Sequence, residues 1–496
     1  MCFLFVAAAL ISFAAAEEKP RTAINVGGKK QLFIDKKFIE SSRNVELVMN
    51  PPYQTGEVLI KADQPWELQP NEGVVYFYSS VLKDKGRVRI WYDLFQQTGS
   101  GPYDHLRRVC YAESQDGVHF IKPKLGLHEI NGSKDNNVVL PGVIGGCAVW
   151  IDPKAPPADR YKTQTKVYPS GKFHMHSSPD GIHWKLSAEI DARGPKDTQT
   201  IIFWDKHLDR YVFYGRDKKT ASELNIHCRS VRRAEMTDLT DIKNTGLAIW
   251  PDETDLATYP MENGKVPVDY YGATVFPYEE APGVYIMLAN AYWHWDKQSD
   301  HYAPATFDVR LAVSRDSKQF TRAGKRRPFL TLGPAGRFDS RLVWAMPNPI
   351  RMGDEIWIYY AGLNENHQNK LDPAAPGGKR LGAISRAIMR LDGFVSADAP
   401  YEGGELVTPA IRFSGKGLEL NVDAGAGGCV LVELLDAEGK PIEGFSAKDA
   451  SPVWGNSLRM PVTWGDKADV SRLAGKPIKI RFVMRDCKLY AFQFKK

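Results

Sequence analysis

Short runs of β-branched and aromatic residues, separated by turn residues, dominate the pattern of this chain. Val74–Leu82 precedes the turn Lys83–Gly86 and the run Arg87–Tyr92, which together predict an antiparallel hairpin. Further pairs of this kind are Thr200–Trp204 with Tyr211–Tyr214, Ala273–Tyr278 with Val284–Leu288, and Pro349–Ile350 with Ile356–Tyr360. Long stretches with helical periodicity are hard to find, so the pattern predicts an all-β protein.

A second motif, Ser-x-Asp-Gly followed by an aromatic residue, lies downstream of these hairpins. It occurs as Ser114–Phe120 and Ser178–Trp184, and in a variant form as Ser314–Phe320. Weaker versions surround Asp238 and Asp392. An Asp-Gly turn before an aromatic residue fits the end of one strand and the start of the next. The five occurrences predict five copies of one structural unit.

Five four-stranded units of this size predict a β-propeller, because a radial arrangement covers the faces of each sheet and leaves only short edges. We place the blades at about residues 65–135, 140–192, 197–255, 268–332 and 339–396. Gln31–Asn50 is the candidate for a strand that closes the ring. A pair of β-sandwiches with chance similarity of their turns is the alternative.

The pattern changes beyond Pro400, where apolar or alternating runs lie between Gly- and Asp-rich turns without the Ser-x-Asp-Gly motif. This pattern predicts a separate β-sandwich. The expected organisation is a signal peptide at 1–16, an N-terminal segment at 17–64, a five-bladed β-propeller at 65–400 and a C-terminal β-sandwich at 401–496.

The first 16 residues contain no charged side chain, run apolar from Phe3 to Phe13 and end in Ala14-Ala15-Ala16. These features predict a signal peptide cleaved after Ala16 and a secreted or periplasmic protein. No later stretch approaches the ~20 apolar residues of a membrane-spanning helix.

Charge and cysteine content exclude several classes of protein. The 65 basic and 59 acidic residues give a net charge of +6 without a long cationic run, so nucleic-acid binding is not indicated. Five scattered cysteines would remain after signal cleavage, which predicts neither a disulfide framework nor a structural zinc site. They are Cys110, Cys147, Cys228, Cys429 and Cys487; a Cys429–Cys487 bridge and five buried thiols are both compatible with the sequence.

The predicted propeller and sandwich, with the Ser-x-Asp-Gly-x-x-Trp/Phe motif, resemble the glycoside hydrolase superfamily of families 43 and 32. The similarity covers roughly residues 60–396. Pro65-Trp66-Glu67, Asp269-Tyr270 and Phe338-Asp339-Ser340 resemble stretches at blade starts in poorly characterised secreted propellers of polysaccharide-degrading bacteria. The resemblance implies a glycosidase with a base early in the propeller, a carboxylate that tunes pKa, and an acid in a later blade.

Acidic residues upstream of the innermost strands are candidates for these roles, since these positions converge on the central channel. Glycoside cleavage needs one carboxylic acid and one carboxylate. With the roles that the resemblance implies, the candidates are Glu67 or Glu72 as base, Asp197 as the tuning residue, and Asp269 as acid, with Asp339 as the alternative acid.

Aromatic, basic and histidine side chains are candidates for sugar contacts, because they stack on pyranose rings or bind hydroxyl groups. They are His174, His176, Arg216, Tyr270, Trp293, His294 and Arg341. No metal-ligand spacing is evident, so we expect no required cofactor; a structural Ca²⁺ in the channel is an alternative.

The sequence thus predicts a glycoside hydrolase that acts on a poly- or oligosaccharide, without nucleic-acid or membrane partners. Two alternatives are a glycoside phosphorylase with a basic phosphate pocket and a non-catalytic glycan-binding propeller. The sequence does not predict the oligomeric state.

Overall fold

The computed structural model describes residues 22–99, 105–142, 147–166, 173–190, 198–221, 226–258, 266–295, 305–367 and 370–496. Regular structure in these ranges is predominantly β-strand, which confirms the all-β prediction. The helical elements are α-helices Pro65–Leu68 and Glu253–Leu256 and 3-10 turns Lys36–Phe38, Pro157–Asp159, Gly324–Arg326, Pro376–Gly378 and Ser471–Leu473. None of the helices in the described ranges is long and apolar enough to cross a membrane.

Five antiparallel blades follow one another along the chain. Blade one contains Gly73–Asp84, Arg87–Gln97, His105–Ser114 and Val138–Pro141, and blade two contains Trp150–Ile151, Tyr161–Lys166, Phe173–Ser178 and Lys185–Ile190. Blade three contains Ile201–Asp205, Arg210–Ala221, Ile226–Met236 and Ile242–Ile249. Blade four contains Val268–Pro277, Tyr285–His294 and Ala305–Ser314, with Thr321–Arg322 and Pro328–Leu330 sharing its outer position. Blade five contains Leu342–Ala345 and Ile350–Met352 beside Glu355–Leu363, followed by Gly382–Arg390.

The N-terminal segment fills the outer position of blade five. Tyr53–Gln54 and Ile60–Lys61 pair with Gly382–Arg390. The prediction that Gln31–Asn50 supplies the strand that closes the ring is wrong. The strands within that range pair with the C-terminal sheets instead. Apolar side chains of this range, such as Phe33, lie in the C-terminal hydrophobic core.

The Ser-x-Asp-Gly turns of blades one, two and four join each of these blades to the one before it in the ring. In the first turn, Ser114 Oγ accepts the Gly117 N–H at 2.9 Å, and the aspartate accepts the next two backbone N–H groups. Gly117 has φ +78, the region that favours glycine. The turn carbonyl then accepts a hydrogen bond from an aromatic side chain of the preceding blade. These bonds are Trp91 to Gly181 (2.6 Å), Tyr214 to Ser317 (2.5 Å) and Tyr359 to Gly117 (2.8 Å).

Tyrosine–aspartate bonds also join the blades, at the ends of the innermost strands. An aspartate at or just after the end of an innermost strand accepts a hydrogen bond from a tyrosine on the second strand of the next blade. The pairs are Tyr161 with Asp84, Tyr211 with Asp152 (3.1 Å) and Tyr285 with Asp205 (2.6 Å). Together with the bond from Thr274 of blade four to the Ala345 carbonyl of blade five and the bond from Tyr359 of blade five to Gly117 of blade one, these contacts define a closed ring of five blades.

The first strands of the blades meet at the centre of this ring. Gln199, just before the first strand of blade three, donates hydrogen bonds to the carbonyls of Ser79 (2.9 Å) and Cys147 (3.1 Å). Its side-chain oxygen accepts the Trp344 indole N–H at 3.1 Å. The Gln199 side chain therefore links four blades through hydrogen bonds, and the first strand of each blade is its innermost strand.

A second unit consists of two further sheets that share one hydrophobic core. One sheet contains Asn456–Pro461, Gly417–Asp423, Cys487–Lys495, Val395–Ala399, Glu46–Met49 and Gln31–Leu32. The other contains Ser41–Arg43, Gly404–Val407, Lys479–Arg485 and Cys429–Leu435, and a parallel pair is formed by Ile24–Gly27 and Ile411–Phe413. All five cysteines in the described residues are free thiols, Cys429 and Cys487 among them.

Asp392 lies where the propeller meets this second unit. Its carboxylate is buried and accepts hydrogen bonds from the Tyr278 hydroxyl of blade four (2.7 Å) and from Lys30 Nζ (2.7 Å). Asn421 of the C-terminal sheet donates a third at 2.9 Å. This buried group therefore connects a blade, the N-terminal segment and the C-terminal sheet.

Candidate active site at the front of the channel

The front face of the propeller is the face at which innermost strands begin and second strands end. Alternation along the strand Val268–Pro277 divides its first side chains between two environments. Val268 and Tyr270 pack in a cluster with blade three, whereas Tyr271 packs beside Tyr292 and Trp344 on the channel side. Asp269 lies on the same side of the strand as Tyr271.

Asp269 is a buried carboxylate with one engaged oxygen. Its Oδ2 lies 3.0 Å from Arg229 Nη1 and 3.4 Å from His294 Nε2. Within the described residues, Oδ1 has no hydrogen-bond partner. Burial by itself would raise the pKa of Asp269, but the charge of Arg229, with the His294 contact, outweighs it and the pKa is lowered. Asp269 is therefore held as an anion with an uncommitted oxygen.

Side chains from blades three and five surround the Tyr271 ring. The guanidinium groups of Arg216 and Arg229 lie 4.8 and 5.0 Å from the ring centroid. The hydroxyl lies 2.9 Å from His367 Nε2 of blade five. Arg216, predicted as a sugar contact, thus lies in the same cluster as Asp269 and His294, and Arg229 and His367 join them.

Glu365 is a second buried carboxylate, two residues beyond the second strand of blade five. Its Oε2 lies 2.6 Å from Arg380 Nε. Burial raises the pKa of Glu365 to about 7, although the charge of Arg380 acts in the opposite direction. A carboxyl group with this pKa is substantially protonated near neutral pH, as a general acid requires.

Blade one supplies the aromatic wall beside Glu365. Phe95 stacks on Tyr76 at 5.0 Å between centroids, and the Arg380 guanidinium lies 5.4 Å from the Phe95 ring. Burial raises the pKa of the Tyr76 phenol, and Arg107, Glu365, Tyr271 and Arg380 also influence it electrostatically. Tyr76 is therefore within electrostatic reach of both Glu365 and Tyr271.

The two candidates for the base lie in different environments. Glu67 is fully buried, and its Oε1 accepts the Tyr92 hydroxyl at 2.5 Å. Its Oε2 accepts two backbone N–H groups of the preceding turn and lies 2.7 Å from Lys122 Nζ. Both oxygens of Glu67 are thus engaged in anchoring helix Pro65–Leu68. Glu72 is exposed and lies 3.5 Å from Lys379.

Asp339, the alternative acid, has partners other than those of Asp269. Asp339 is buried, its Oδ2 accepts the Tyr360 hydroxyl at 3.1 Å, and burial raises its pKa. Tyr360 packs in the cluster between blades four and five, on the opposite side of its strand from Tyr359. Asp197 lies outside the described residues.

Most of the predicted sugar contacts lie away from this cluster. His174 and His176 are on the third strand of blade two, where they contact Glu189 (3.3 Å) and Thr165 (2.9 Å), and burial lowers the pKa of His176 to about 4. Arg341 lies 3.2 Å from Asp372.

Tyr270 and Trp293 line a cavity on the side of blade four that faces blade three. They are adjacent in sequence to Asp269 and His294, but strand alternation directs them to the opposite face. Among the described residues, no group of three His, Cys, Asp or Glu side chains has an arrangement that could hold a metal ion.

Sequence reasoning missed Glu365, because it considered acids that precede innermost strands and Glu365 follows a second strand. A usable signal was present. Asn364-Glu365-Asn366-His367 is a polar run directly after the apolar strand Glu355–Leu363. Second strands end at the front face, so an acid there is also a candidate.

No protein-family model and no curated protein sequence matches the chain. Among similar solved structures, a glycosyl hydrolase from Bacteroides ovatus is 13% identical with a TM-score of 0.45, over 69% of this chain and 94% of the other. A β-1,2-mannobiose phosphorylase from Listeria innocua is 16% identical with a TM-score of 0.45, over 69% and 97%. An N-acetylgalactosamine deacetylase from F. plautii is 15% identical with a TM-score of 0.44, over 70% and 96%. Glycoside hydrolases are thus among the structural neighbours of this chain.

Proposed function

We propose that this protein is a carbohydrate-active enzyme that hydrolyses glycosidic bonds at the front of its channel. The observation that carries the proposal is a pair of buried carboxyl groups on neighbouring blades whose surroundings move their pKa values apart. The pKa of Glu365 is raised to about 7, and that of Asp269 is lowered. Such a divergence is what an acid and a base in one site require.

Glu365 has the properties of the general acid. Its carboxyl group is desolvated, so that its protonated form persists near neutrality. In the proposed reaction, this proton passes to the glycosidic oxygen as the bond to the anomeric carbon breaks. Arg380 then stabilises the carboxylate that remains.

Asp269 has the properties of the reacting carboxylate. Arg229 and His294 hold it through Oδ2, which leaves Oδ1 to accept a proton from water or to attack the anomeric carbon. The positive charge of Arg229 keeps it ionised at the pH at which Glu365 is protonated. Among the rings of Tyr76, Phe95 and Tyr271, that of Tyr76 is partly exposed, and it is the aromatic side chain that can contact a sugar ring.

Phosphorolysis is a second candidate, favoured by the convergence of Arg216 and Arg229 on the Tyr271 ring. Guanidinium groups bind phosphate well, and phosphate would then replace water as the nucleophile. The signal peptide predicted at residues 1–16 favours an enzyme that acts outside the cytoplasm, where hydrolysis is the more useful reaction.

The proposal is tested by reducing-sugar release from a panel of polysaccharides and aryl glycosides, with and without inorganic phosphate. We expect phosphate-independent release from at least one substrate. Release that requires phosphate would replace hydrolysis with phosphorolysis. No release under either condition would contradict both reactions.

Two variants separate the roles of the carboxyl groups. Glu365→Gln is expected to lower kcat about 10²–10⁴-fold on glycosides with poor leaving groups and far less on dinitrophenyl glycosides, which leave without protonation. Asp269→Asn is expected to impair both kinds of substrate. Glu433→Gln is the matched control, because Glu433 is a buried glutamate paired with Arg481 at 3.0 Å in the second unit. Equal turnover by Glu365→Gln and wild type on poor leaving groups would remove Glu365 as the acid.

A further inference from the structure

Two tryptophans are stacked at the front end of blade four, outside the proposed active site. Trp293 and Trp295 lie 6.2 Å apart between ring centroids with an interplanar angle of 21°. The Arg310 guanidinium lies 5.1 Å from the Trp293 ring. In the strand register, Trp293 pairs with Thr306, and Arg310 pairs with Ala289. Along the strand direction, Arg310 therefore lies on one side of Trp293 and Trp295 on the other.

Trp295 is held in place although 57% of its surface is exposed. Its indole N–H donates to Thr306 Oγ1 at 2.8 Å, and its ring lies on Trp293. An exposed aromatic ring that is already immobilised loses little conformational entropy when a ligand covers it. This arrangement is typical of a preformed binding surface.

A cavity of about 220 Å³ lies beside this stack. Val268, Ala291 and Leu311 contribute apolar surface, and Thr258 and Tyr270 contribute hydroxyl groups. The lining therefore combines apolar and hydrogen-bonding surfaces, as binding sites for small polar molecules do.

The charged groups of the cavity are balanced. Each arginine in its lining pairs with an aspartate, which leaves no excess charge to select an anion or a cation. The pairs are Arg310 with Asp308 (2.6 Å), Arg322 with Asp255 (2.8 Å) and Arg326 with Asp252 (2.6 Å). The site thus suits an uncharged ligand with both hydroxyl groups and apolar C–H faces.

We propose that the Trp293–Trp295 stack and the adjoining cavity form a second carbohydrate-binding site, which takes an uncharged sugar unit of a polysaccharide. It is distinct from the channel site because Trp293 and Tyr270 face blade three, whereas Asp269 and Tyr271 face the channel. The two sites share the same strands, so a bound polymer is retained at the front of the enzyme. The proposal rests on the proposed function for its ligand class only.

Affinity electrophoresis of the full chain in gels that contain soluble arabinan, galactan, xylan or galactomannan tests this site, with polygalacturonate as the charged comparison. We expect at least one neutral polymer to retard the wild type and Trp295→Ala to weaken that retardation at least about tenfold in apparent Kd, because the substitution removes the exposed stacking ring. Trp454→Ala is the matched control, because Trp454 is a 68% exposed tryptophan of the second unit.

The outcomes separate this site from the catalytic proposal. Glu365→Gln is expected to lose turnover and to keep the retardation. Retardation without turnover in the wild type would support this site and contradict the proposed hydrolysis. Turnover without retardation by any neutral polymer, or equal retardation of Trp295→Ala and wild type, would overturn the second site.

Discussion

Four buried carboxylates of this propeller form two pairs that differ in what their oxygens contact. Those of Glu67 and Asp205 use both oxygens: Asp205 accepts the Tyr285 hydroxyl on one and two backbone N–H groups on the other. We call these anchored carboxylates. We call Asp269 and Glu365 the front carboxylates. Each is paired with an arginine through one oxygen, Asp269 with Arg229 and Glu365 with Arg380. Asp269 Oδ1 accepts no hydrogen bond from the described residues.

The difference shows that burial alone does not mark a reactive acid. An anchored carboxylate exchanges its hydration for a full set of donors and so stabilises the fold. A front carboxylate is desolvated without a complete set of donors, which costs stability and leaves bonding capacity for a substrate. The three predictions that follow test this division.

Glu67→Gln should have the largest effect on folding. The amide cannot pair with Lys122, and its NH₂ group would face donors that now point at Oε2. Breaking such a buried pair is expected to lower the free energy of unfolding by about 3–5 kcal/mol. Urea denaturation measures this change, with the exposed Glu72→Gln as a control that should stay within ~0.5 kcal/mol. A stable Glu67→Gln protein without turnover would instead place Glu67 in catalysis.

Tyr285→Phe should have an intermediate effect. The substitution removes one hydroxyl that donates to Asp205 at 2.6 Å and leaves a buried carboxylate oxygen without that donor. A loss of about 1.5–3 kcal/mol is expected in chemical denaturation, with unchanged turnover per folded molecule. Tyr401→Phe serves as control, since Tyr401 is 70% exposed. Equal stability of Tyr285→Phe and wild type would show that the interblade bond is not an anchor.

The smallest effect concerns the pH dependence of turnover. Glu365 acts in its protonated form, so kcat should fall as the pH rises through about 7. Asp269 acts as an anion with a lowered pKa, so an acidic limb should appear only below the ordinary range of aspartate. Arg380→Met removes the charge that lowers the pKa of Glu365 and should move the basic limb upward by about one unit.

Lys379→Met is the control for this shift, because Lys379 is the exposed cation next in sequence. Its pH profile should match that of the wild type. A basic limb that stays in place in Arg380→Met would show that a group other than Glu365 titrates there.

Local patterns predicted much of the fold. Strand alternation and Asp-Gly turns act over a few residues, so the hairpins and the five repeats are visible in the sequence. The same alternation could have separated Asp269 from Tyr270 and His294 from Trp293. The role of Asp205 as an anchor was less visible, because its partner Tyr285 belongs to the next blade.

The sequence by itself determined the strands, their turns and the fivefold repeat, because each depends on neighbours along the chain. Only the tertiary structure decided which acids are anchored and which are not. Glu365 owes its raised pKa to burial at the junction of blades, near Phe95 and Tyr76 of blade one, which lie 270 and 289 residues earlier in the chain. Desolvation and charge pairing depend on distances in space, and the closed ring brings these residues together.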